Sequence, residues 1–190
     1  MKSEFRTKRR VAWGITGSGD KLMEAFGVLK EIKEAYSEEV EIEVFLSRAG
    51  EQVAKYYRLS DELRESFRVW VEKDANTPFL AGRLQLGQFE FLLIAPATSN
   101  TVAKLSYGIS DTMLTNGAIQ AMKALVPVYI MPVDYREGTT VTKLPDGRDL
   151  RIRVRKEDAE NVGKLDTMDG ITPFEKPEEI KEIFEKYFSH

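Results

Sequence analysis

The sequence predicts a three-layer α/β/α sandwich built on a mainly parallel, Rossmann-like sheet, with a C-terminal β-hairpin extension. Short apolar runs, typical of strands buried on both faces, recur along the chain. Segments with an apolar residue at every third or fourth position, typical of amphipathic helices, separate these runs. The 190 residues contain no internal repeat, no low-complexity segment and no dividing linker, so residues 1–190 are predicted to form a single domain.

The first βαβ unit follows a basic segment, residues 1–9, which is predicted to be a flexible tail. The apolar run 11–15 predicts a buried strand that ends in a glycine turn, TGSGD. The helical period of residues 21–36 predicts a helix, and VEIEVFLS, residues 40–47, predicts a second strand. A strand, a helix and a strand joined by short loops indicate a parallel pair with a right-handed crossover.

The middle of the chain is less regular but keeps the alternation of strands and helices. Ser60 is expected to cap one of its helices, and Pro96 is expected to stop the most strongly apolar strand at Ala95. The segment NTPFLAGRLQLGQ is expected to be partly loop. The predicted helices span 49–57, 61–67, 100–107 and 110–125. The predicted strands span 68–73, 89–95 and 126–132.

The C-terminal third changes character. The alternating segments TTVTKL and DLRIRVR flank a Pro-Asp-Gly turn and predict a hairpin within residues 139–156. Alternation places Arg151, Arg153 and Arg155 on one face, which is either a solvated or subunit-contact face or a docking surface for an acidic partner. A helix over 157–168, a short strand over 170–174 and a terminal helix over 177–188 complete the prediction.

Composition excludes several kinds of chemistry. The chain has 28 basic and 31 acidic residues, so its net charge of -3 gives no global attraction to nucleic acid or to an anionic membrane. It has no cysteine, and its single histidine is the terminal His190, so no metal site and no histidine base are expected. No apolar run approaches the roughly 20 residues that a spanning helix needs, and a cytoplasmic protein is expected.

The turn after the first strand, GITGSGD, is a candidate phosphate site. Glycines let backbone N–H groups approach a phosphate, and the following helix adds the positive end of its dipole. The spacing is neither a P-loop nor a full Gly-x-Gly-x-x-Gly, and it suits a single phosphate group. The alternative is a tight turn capped by Ser18 or Asp20. The candidate residues are Gly14, Thr16, Gly17, Ser18 and Gly19, with Thr16 and Ser18 as hydroxyl donors.

A second polar junction, LLIAPATSNTVAKL, lies where a later strand meets a helix. An N-cap needs only one hydroxyl or amide side chain, and this segment has more. Both junctions should lie at the carboxyl edge of the sheet, where ligands bind in such folds. A ligand with a phosphate at one end and a polar planar ring at the other, such as FMN, would bridge them. The candidate residues here are Ala97, Thr98, Ser99, Asn100 and Thr101.

These motifs together carry a family resemblance. The segment APATSNTVAKLSYGISDTMLTN, the GITGS turn and Ser47 resemble the flavoprotein superfamily of homo-oligomeric flavin-containing cysteine decarboxylases. The resemblance implies FMN, with its phosphate near residues 16–19 and its ring near Ser47 and residues 98–101. It also implies trimers or multiples of trimers, with FMN near a subunit boundary. Asp111 matches the family's aspartate, or it caps the helix that begins there.

The chain departs from the decarboxylases where their catalytic histidine lies. Arg83 of RLQL stands at or near that position, and an arginine cannot act as a base at neutral pH. The C-terminal third, from MPVDYREG to MDGI, is similar to the archaeoflavoprotein and dihydromethanopterin reductase branch. Members of that branch are FMN-dependent reductases that take electrons from ferredoxin or reduce dihydromethanopterin. Tyr135 and Arg136 become candidate contacts of the ring or the substrate, while the catalytic residues stay unassigned.

The resemblance therefore implies a reductase or electron-transfer protein that uses FMN, with ferredoxin or a nicotinamide compound as donor and a pterin as acceptor. Three alternatives stay open: a flavin prenyltransferase-like enzyme, a cysteine-decarboxylase-like enzyme, and a non-catalytic flavin-binding protein.

Overall fold

The computed structural model describes residues 7–189 and contains a six-stranded parallel sheet with helices on both faces. The strands are β1 (Arg9–Ile15), β2 (Val40–Leu46), β3 (Arg68–Val71), β4 (Leu92–Ala97), β5 (Val128–Pro132), β6 (Gly138–Lys143), β7 (Asp149–Val154) and β8 (Ile171–Pro173). The sheet order is β3-β2-β1-β4-β5-β8, and β6 pairs with β7 in a separate antiparallel hairpin. The predicted fold class is confirmed.

Eight helices in the described part of the chain connect these strands. They are α1 (Leu22–Ala35), α2 (Arg48–Tyr56), α3 (Ser60–Ser66), α4 (Leu80–Gln85), α5 (Ser99–Ser106), α6 (Met113–Lys123), α7 (Lys156–Asp166) and α8 (Glu179–Phe188). The strand order reverses between the parallel neighbours β1 and β4: β2 and β3 are added on one side of β1, and β5 and β8 on the other side of β4. Loops on either side of that point leave a crevice at the carboxyl ends of the strands.

Two apolar cores lie on the two faces of the sheet. Successive side chains of a strand point to opposite faces, so Val11 and Trp13 of β1 join one core while Ala12 joins the other. Trp13 is fully buried, and its Nε1 donates a hydrogen bond to the carbonyl of Ala95 at 2.7 Å. Trp13 therefore belongs to the core.

The structure corrects three boundaries in the middle of the chain. Ser60 does not cap α3, because Leu59 is the N-cap and the buried Ser60 hydroxyl has no hydrogen-bond partner among the described residues. The fourth strand does not end at Ala95: it continues through Pro96 to Ala97, which pairs with Pro132 after a register shift. The segment expected to be partly loop contains α4.

The N-terminal prediction lies partly outside the described residues. Residues 1–6 of the predicted tail and the terminal His190 are outside the range 7–189, whereas β1 begins at Arg9, two residues before the predicted strand. Among residues 7–189, no helix combines the length and the apolar character needed to cross a membrane.

The β6–β7 hairpin projects from the sheet with both faces accessible. Leu150 and Ile152 lie on one face, Val141 lies on the other face opposite Arg151, and these three apolar side chains are 40–49% exposed. Arg151 and Arg153 are exposed, as predicted for an arginine face. Arg155 does not belong to that face, because β7 ends at Val154 and the Arg155 guanidinium binds Asp158 in the first turn of α7 at 2.6 Å.

Candidate functional site

A cleft of about 590 Å³ lies at the carboxyl edge of the sheet, over the ends of β1 to β4. This volume falls within the range of roughly 300–1,000 Å³ that is usual for small-molecule sites. Most of the predicted site residues line it: Thr16, Gly17, Ser47, Thr98, Asn100, Thr101 and Asp111. The two polar junctions identified in the sequence therefore meet in one cleft.

The glycine turn supplies backbone donors at one end of the cleft. The N–H groups of Gly17, Ser18 and Gly19 find no hydrogen-bond partner among residues 7–189. The turn packs tightly on α2, since a Cβ at Gly17 would lie 2.6 Å from the Cβ of Ala49. Neither Ser18 nor Asp20 caps α1, whose N-cap is Lys21 without a side-chain hydrogen bond. Three free amides in a tight turn are suited to binding an anion.

The hydroxyl group of Thr16 forms hydrogen bonds within the protein and is not free for a ligand in the cleft. The residue is 3% exposed, and its Oγ1 donates to the carbonyl of Pro96 at 2.8 Å. The backbone N–H of Thr98 donates to the same Oγ1 at 2.9 Å. Because the single hydroxyl hydrogen points at Pro96, the Thr16 side chain joins the ends of β1 and β4 and is not positioned to donate to a phosphate.

The start of α5 forms a wall of the cleft. Thr98 is the N-cap, and its Oγ1 accepts from the backbone N–H of Thr101 at 3.3 Å. The Ser99 hydroxyl donates to the carboxylate of Asp134 and does not line the cleft. The side chain of Asn100 is exposed at the cleft. This wall therefore offers one amide side chain besides the hydroxyls that cap the helix.

Ser47 caps α2 directly across from this wall. Its Oγ accepts a hydrogen bond from the backbone N–H of Gly50 at 2.9 Å, which leaves its own hydroxyl hydrogen available to a ligand. Gly50 is required by packing, because a Cβ there would lie 2.3 Å from the carbonyl oxygen of Ile15. The short distance between α2 and β1 is what brings the Ser47 hydroxyl to the cleft.

Three acidic residues, Glu72, Asp74 and Asp111, also line the cleft. The Oε1 atom of Glu72 accepts from the N–H of Met113 at 2.7 Å, and Oε2 accepts from the N–H of Arg48 at 3.0 Å. One carboxylate therefore binds the first turns of both α6 and α2. Asp74 contributes a second carboxylate to the lining. The sequence analysis missed both residues, although VEKDAN places one acid at the end of a predicted strand and another directly after it.

Asp111 also lines the cleft but does not cap α6. The N-cap is Thr112, which accepts from the N–H of Thr115 at 3.2 Å, and the Asp111 carboxylate pairs with Lys104 at 2.9 Å. The Lys104 hydrogen bond holds the pKa of Asp111 below its usual value. Backbone N–H bonds, first that of Asn76, do the same for the pKa of Asp74. Among residues 7–189, no group of three or more histidine, cysteine or acidic side chains is arranged to hold a metal ion.

Three further predicted residues support or adjoin the cleft without lining it. Gly14 lies in β1, where a Cβ would approach Leu114 to 2.7 Å, and Ala97 is fully buried in β4. Gly19 lies against the Tyr57 ring at the edge of a neighbouring groove of about 740 Å³ between α1, α2 and the hairpin. In that groove burial raises the pKa of Asp20, although a hydrogen bond with Thr142 acts in the opposite direction.

Arg83 is a structural residue in this fold. Its guanidinium binds both carboxylate oxygens of Glu43, at 2.6 and 2.9 Å, and Glu43 is fully buried in β2. Burial favours the neutral form of Glu43, but hydrogen bonds from Arg83 and Trp70 prevail and hold its pKa below the usual value. The pair lies beside β2 and does not reach the cleft.

Tyr135 and Arg136 are also absent from the cleft. The Arg136 guanidinium pairs with Glu175 at 2.8 Å, and Tyr135 packs against the core that contains α5 and α6. Within one chain, therefore, these two candidate contacts of the ring or the substrate do not line the cleft.

Comparisons with known proteins agree with this architecture. The family model described as Flavoprotein matches residues 2–140. An uncharacterized protein of Methanocaldococcus jannaschii is 45% identical, covering 94% of this chain and 95% of the relative. Dihydromethanopterin reductase (acceptor) of the same organism is 32% identical, covering 97% and 99%. The crystal structure of Burkholderia xenovorans DmrB with FMN, described as a cubic protein cage for redox transfer, is 33% identical, covers 97% of both chains and superimposes with a TM-score of 0.82.

Proposed function

The chain belongs to the Flavoprotein family, and on that premise we propose that it is an FMN-dependent reductase. It takes electrons from ferredoxin or a nicotinamide donor and passes them to an acceptor such as dihydromethanopterin. The observation that carries the proposal is the cleft in which free glycine amides lie opposite polar side chains. Relatives named for a reductase and for an FMN complex align with nearly the whole chain, which supports the same assignment.

The volume and the polar groups of the cleft support FMN as its occupant. The amides of residues 17–19 would hold the phosphate, because a tight glycine turn lets backbone N–H groups converge on an anion. The three carboxylates of the lining, Glu72, Asp74 and Asp111, outnumber its one cation, Arg48, and would repel a phosphate dianion. Charge therefore supports an orientation with the phosphate at the glycine turn and the ring beside these acidic residues.

The protein supplies position and hydrogen bonds, while FMN supplies the transfer of one electron or of a hydride. The Ser47 hydroxyl and the Asn100 amide would donate to polar atoms along the ring. Thr16 would act indirectly, by fixing the start of α5 against the glycine turn. Since the only histidine is His190, no histidine base is assigned to the reaction.

We extend the proposal to the organisation of the protein and its partners. Residues 1–190 form one FMN-binding domain, in which the hairpin is an extension of the sandwich. The exposed Arg151 and Arg153 suit an acidic partner such as ferredoxin, or the acidic tail of a pterin. The chain assembles as a trimer or a multiple of trimers in the cytoplasm, and the assembly named for DmrB supports a closed oligomer.

A direct experiment is reconstitution of the purified protein with FMN. The complex should absorb at about 370 and 450 nm, as bound flavins do, and its reduced form should transfer electrons to a dihydropterin acceptor. Reduction assays with ferredoxin and with nicotinamide donors would identify the donor. A colourless protein that takes up no FMN would contradict the proposal. A new flavin adduct formed from dimethylallyl phosphate would instead indicate a prenyltransferase.

A further inference from the structure

We propose that Glu72 keeps the reduction potential of the bound flavin low by cancelling the positive ends of two helices beside the ring. The inference rests on the proposed binding of FMN in the cleft. It assigns to one carboxylate a role in setting the energy of the electrons that the protein passes on.

The geometry singles out Glu72 among the acidic residues of the cleft. Asp111 is paired with Lys104, and the side chain of Asp111 is 56% exposed. Asp74 is fully exposed, so solvent screens its charge. Glu72 is half-buried and forms no ion pair among residues 7–189. The guanidinium of Arg48 forms no ion pair with Glu72 and donates to the carbonyl of Lys73.

The contacts of Glu72 explain how it would act on a ring. Its two oxygens bind the N–H groups of Arg48 and Met113, which are the first residues of α2 and α6. Each helix N-terminus carries the equivalent of roughly half a positive charge. Two such ends facing the ring would stabilise the electron-rich reduced flavin and raise its potential. A carboxylate placed on both ends removes that stabilisation.

The charge also explains why the phosphate does not bind at these two helix starts. Both offer the N–H groups that anions use elsewhere in folds of this type. Glu72 binds one N–H group at each of them and adds a negative charge that disfavours a dianion there, whereas the glycine turn offers three free amides in succession. The same residue thus sets the orientation of the cofactor and the electrostatic field at its ring.

The test is the midpoint potential of FMN bound to Glu72→Gln. Loss of the charge should shift the potential to a more positive value, and the variant should bind reduced FMN more tightly relative to oxidised FMN than the native protein does. Glu34→Gln, which removes an equal charge from the exposed side of α1, should leave the potential unchanged. An unchanged potential in Glu72→Gln with FMN bound would overturn the inference.

Two further variants separate charge from support of the fold. Glu72→Asp keeps the charge but shortens the side chain, so a merely structural role predicts weaker FMN binding in both Asp and Gln variants and a native potential in both. The charge role predicts a near-native potential in Glu72→Asp alone. If Glu72→Gln does not fold, Glu72→Met is the second neutral variant. Failure of the native protein to bind FMN would instead reject the proposed function, and that is measured first.

Discussion

The parallel sheet and the β6–β7 hairpin are both regular, but they differ in how far their polar and apolar side chains are buried. In the sheet, β1 is buried from Val11 to Ile15. The nearby polar side chains of Thr16 and Glu43 are also buried and form hydrogen bonds within the protein. In the hairpin, the apolar side chains of Val141, Leu150 and Ile152 are 40–49% exposed, and charged pairs such as Lys143–Asp149 lie at the surface.

The difference shows that an alternating sequence pattern can form a strand without giving it the stability that comes from burial. Alternation alone is enough to form a hairpin, but a two-stranded ribbon buries little apolar surface. The parallel sheet gains its stability from burial on both faces, so each polar group enclosed there must be satisfied. The cleft is built on the parallel sheet, which holds the hydrogen-bond donors of the cleft in fixed positions.

Removal of a buried charge partner should show the largest difference between the two regions. Arg83→Met would leave the Glu43 carboxylate buried without its cation, at an expected cost of about 3–5 kcal/mol in the free energy of unfolding. Urea unfolding measures this loss. Asp149→Asn in the exposed hairpin pair should change stability little.

The pH dependence of the Arg83 variant gives a further check. The folded pKa of Glu43 lies below its unfolded value, so the pair stabilises the protein above the unfolded pKa, about 4.3, and this contribution is lost as pH falls through the folded pKa. The difference between native and variant should therefore shrink in acid. Equal losses from Arg83→Met and Asp149→Asn at pH 7 would contradict the contrast between sheet and hairpin.

Thr16→Val tests whether a buried hydroxyl joins β1 to β4. The substitution keeps the shape but leaves the Thr98 N–H without its acceptor and removes one of the two donors to the Pro96 carbonyl. An unfolding loss of about 1–3 kcal/mol is expected, since both groups are enclosed. Thr16→Ser, which keeps the hydroxyl, is the control. Equal stability of the Val and Ser variants would show that the hydroxyl contributes nothing.

Gly17→Ala should weaken FMN binding about tenfold or more, corresponding to roughly 1.4 kcal/mol. The added methyl obstructs the approach of a phosphate to the turn and also meets the Cβ of Ala49 at 2.6 Å. The double variant Gly17→Ala/Ala49→Gly removes that second effect. Titration of FMN followed by fluorescence compares the variants.

Loss of affinity should persist in the double variant if the ligand itself needs the glycine. Recovery of native affinity would show that Gly17 is required only for packing, which would remove the phosphate assignment. Gly163→Ala, at an exposed position of α7 with open space around it, should leave FMN affinity unchanged.

Asp20→Asn is expected to give the smallest effect, at the contact between the sandwich and the hairpin. Burial raises the pKa of Asp20, so its ionised form opposes folding, and stability declines as pH rises through the folded pKa. The variant should unfold at a higher temperature than the native protein at pH 7, and the two should converge near pH 3. Asp146→Asn, whose parent carboxyl has a pKa lowered by Arg148, should show no such increase.

Much of this architecture could be predicted because buried strands and amphipathic helices have strong periodic patterns. The two polar junctions were identifiable because both follow apolar strands whose carboxyl ends share one edge of the sheet. The short helix α4 was missed because Pro78 and Gly82 suggest a loop, although Leu80 and Leu84 have helical spacing.

The remaining errors arise from contacts between distant parts of the chain. Pro96 stays in the sheet because only its carbonyl is needed, and that carbonyl accepts from Thr16. The Glu72 carboxylate is positioned by a hydrogen bond from the N–H of Met113, which lies 41 positions later in the chain. Local sequence carries no signal for such a contact, and Thr16 likewise gives no indication that its hydroxyl faces Pro96 and not a ligand.

The close contact between Gly50 and the Ile15 carbonyl has a consequence for how this sequence can diverge. A glycine on the solvent side of a helix, such as Gly27, has open space around it and can be replaced by many other residues. Gly50 has no such freedom, because any side chain would force α2 away from β1 and carry Ser47 with it. In a saturation library selected for flavin colour, position 50 should tolerate a single amino acid.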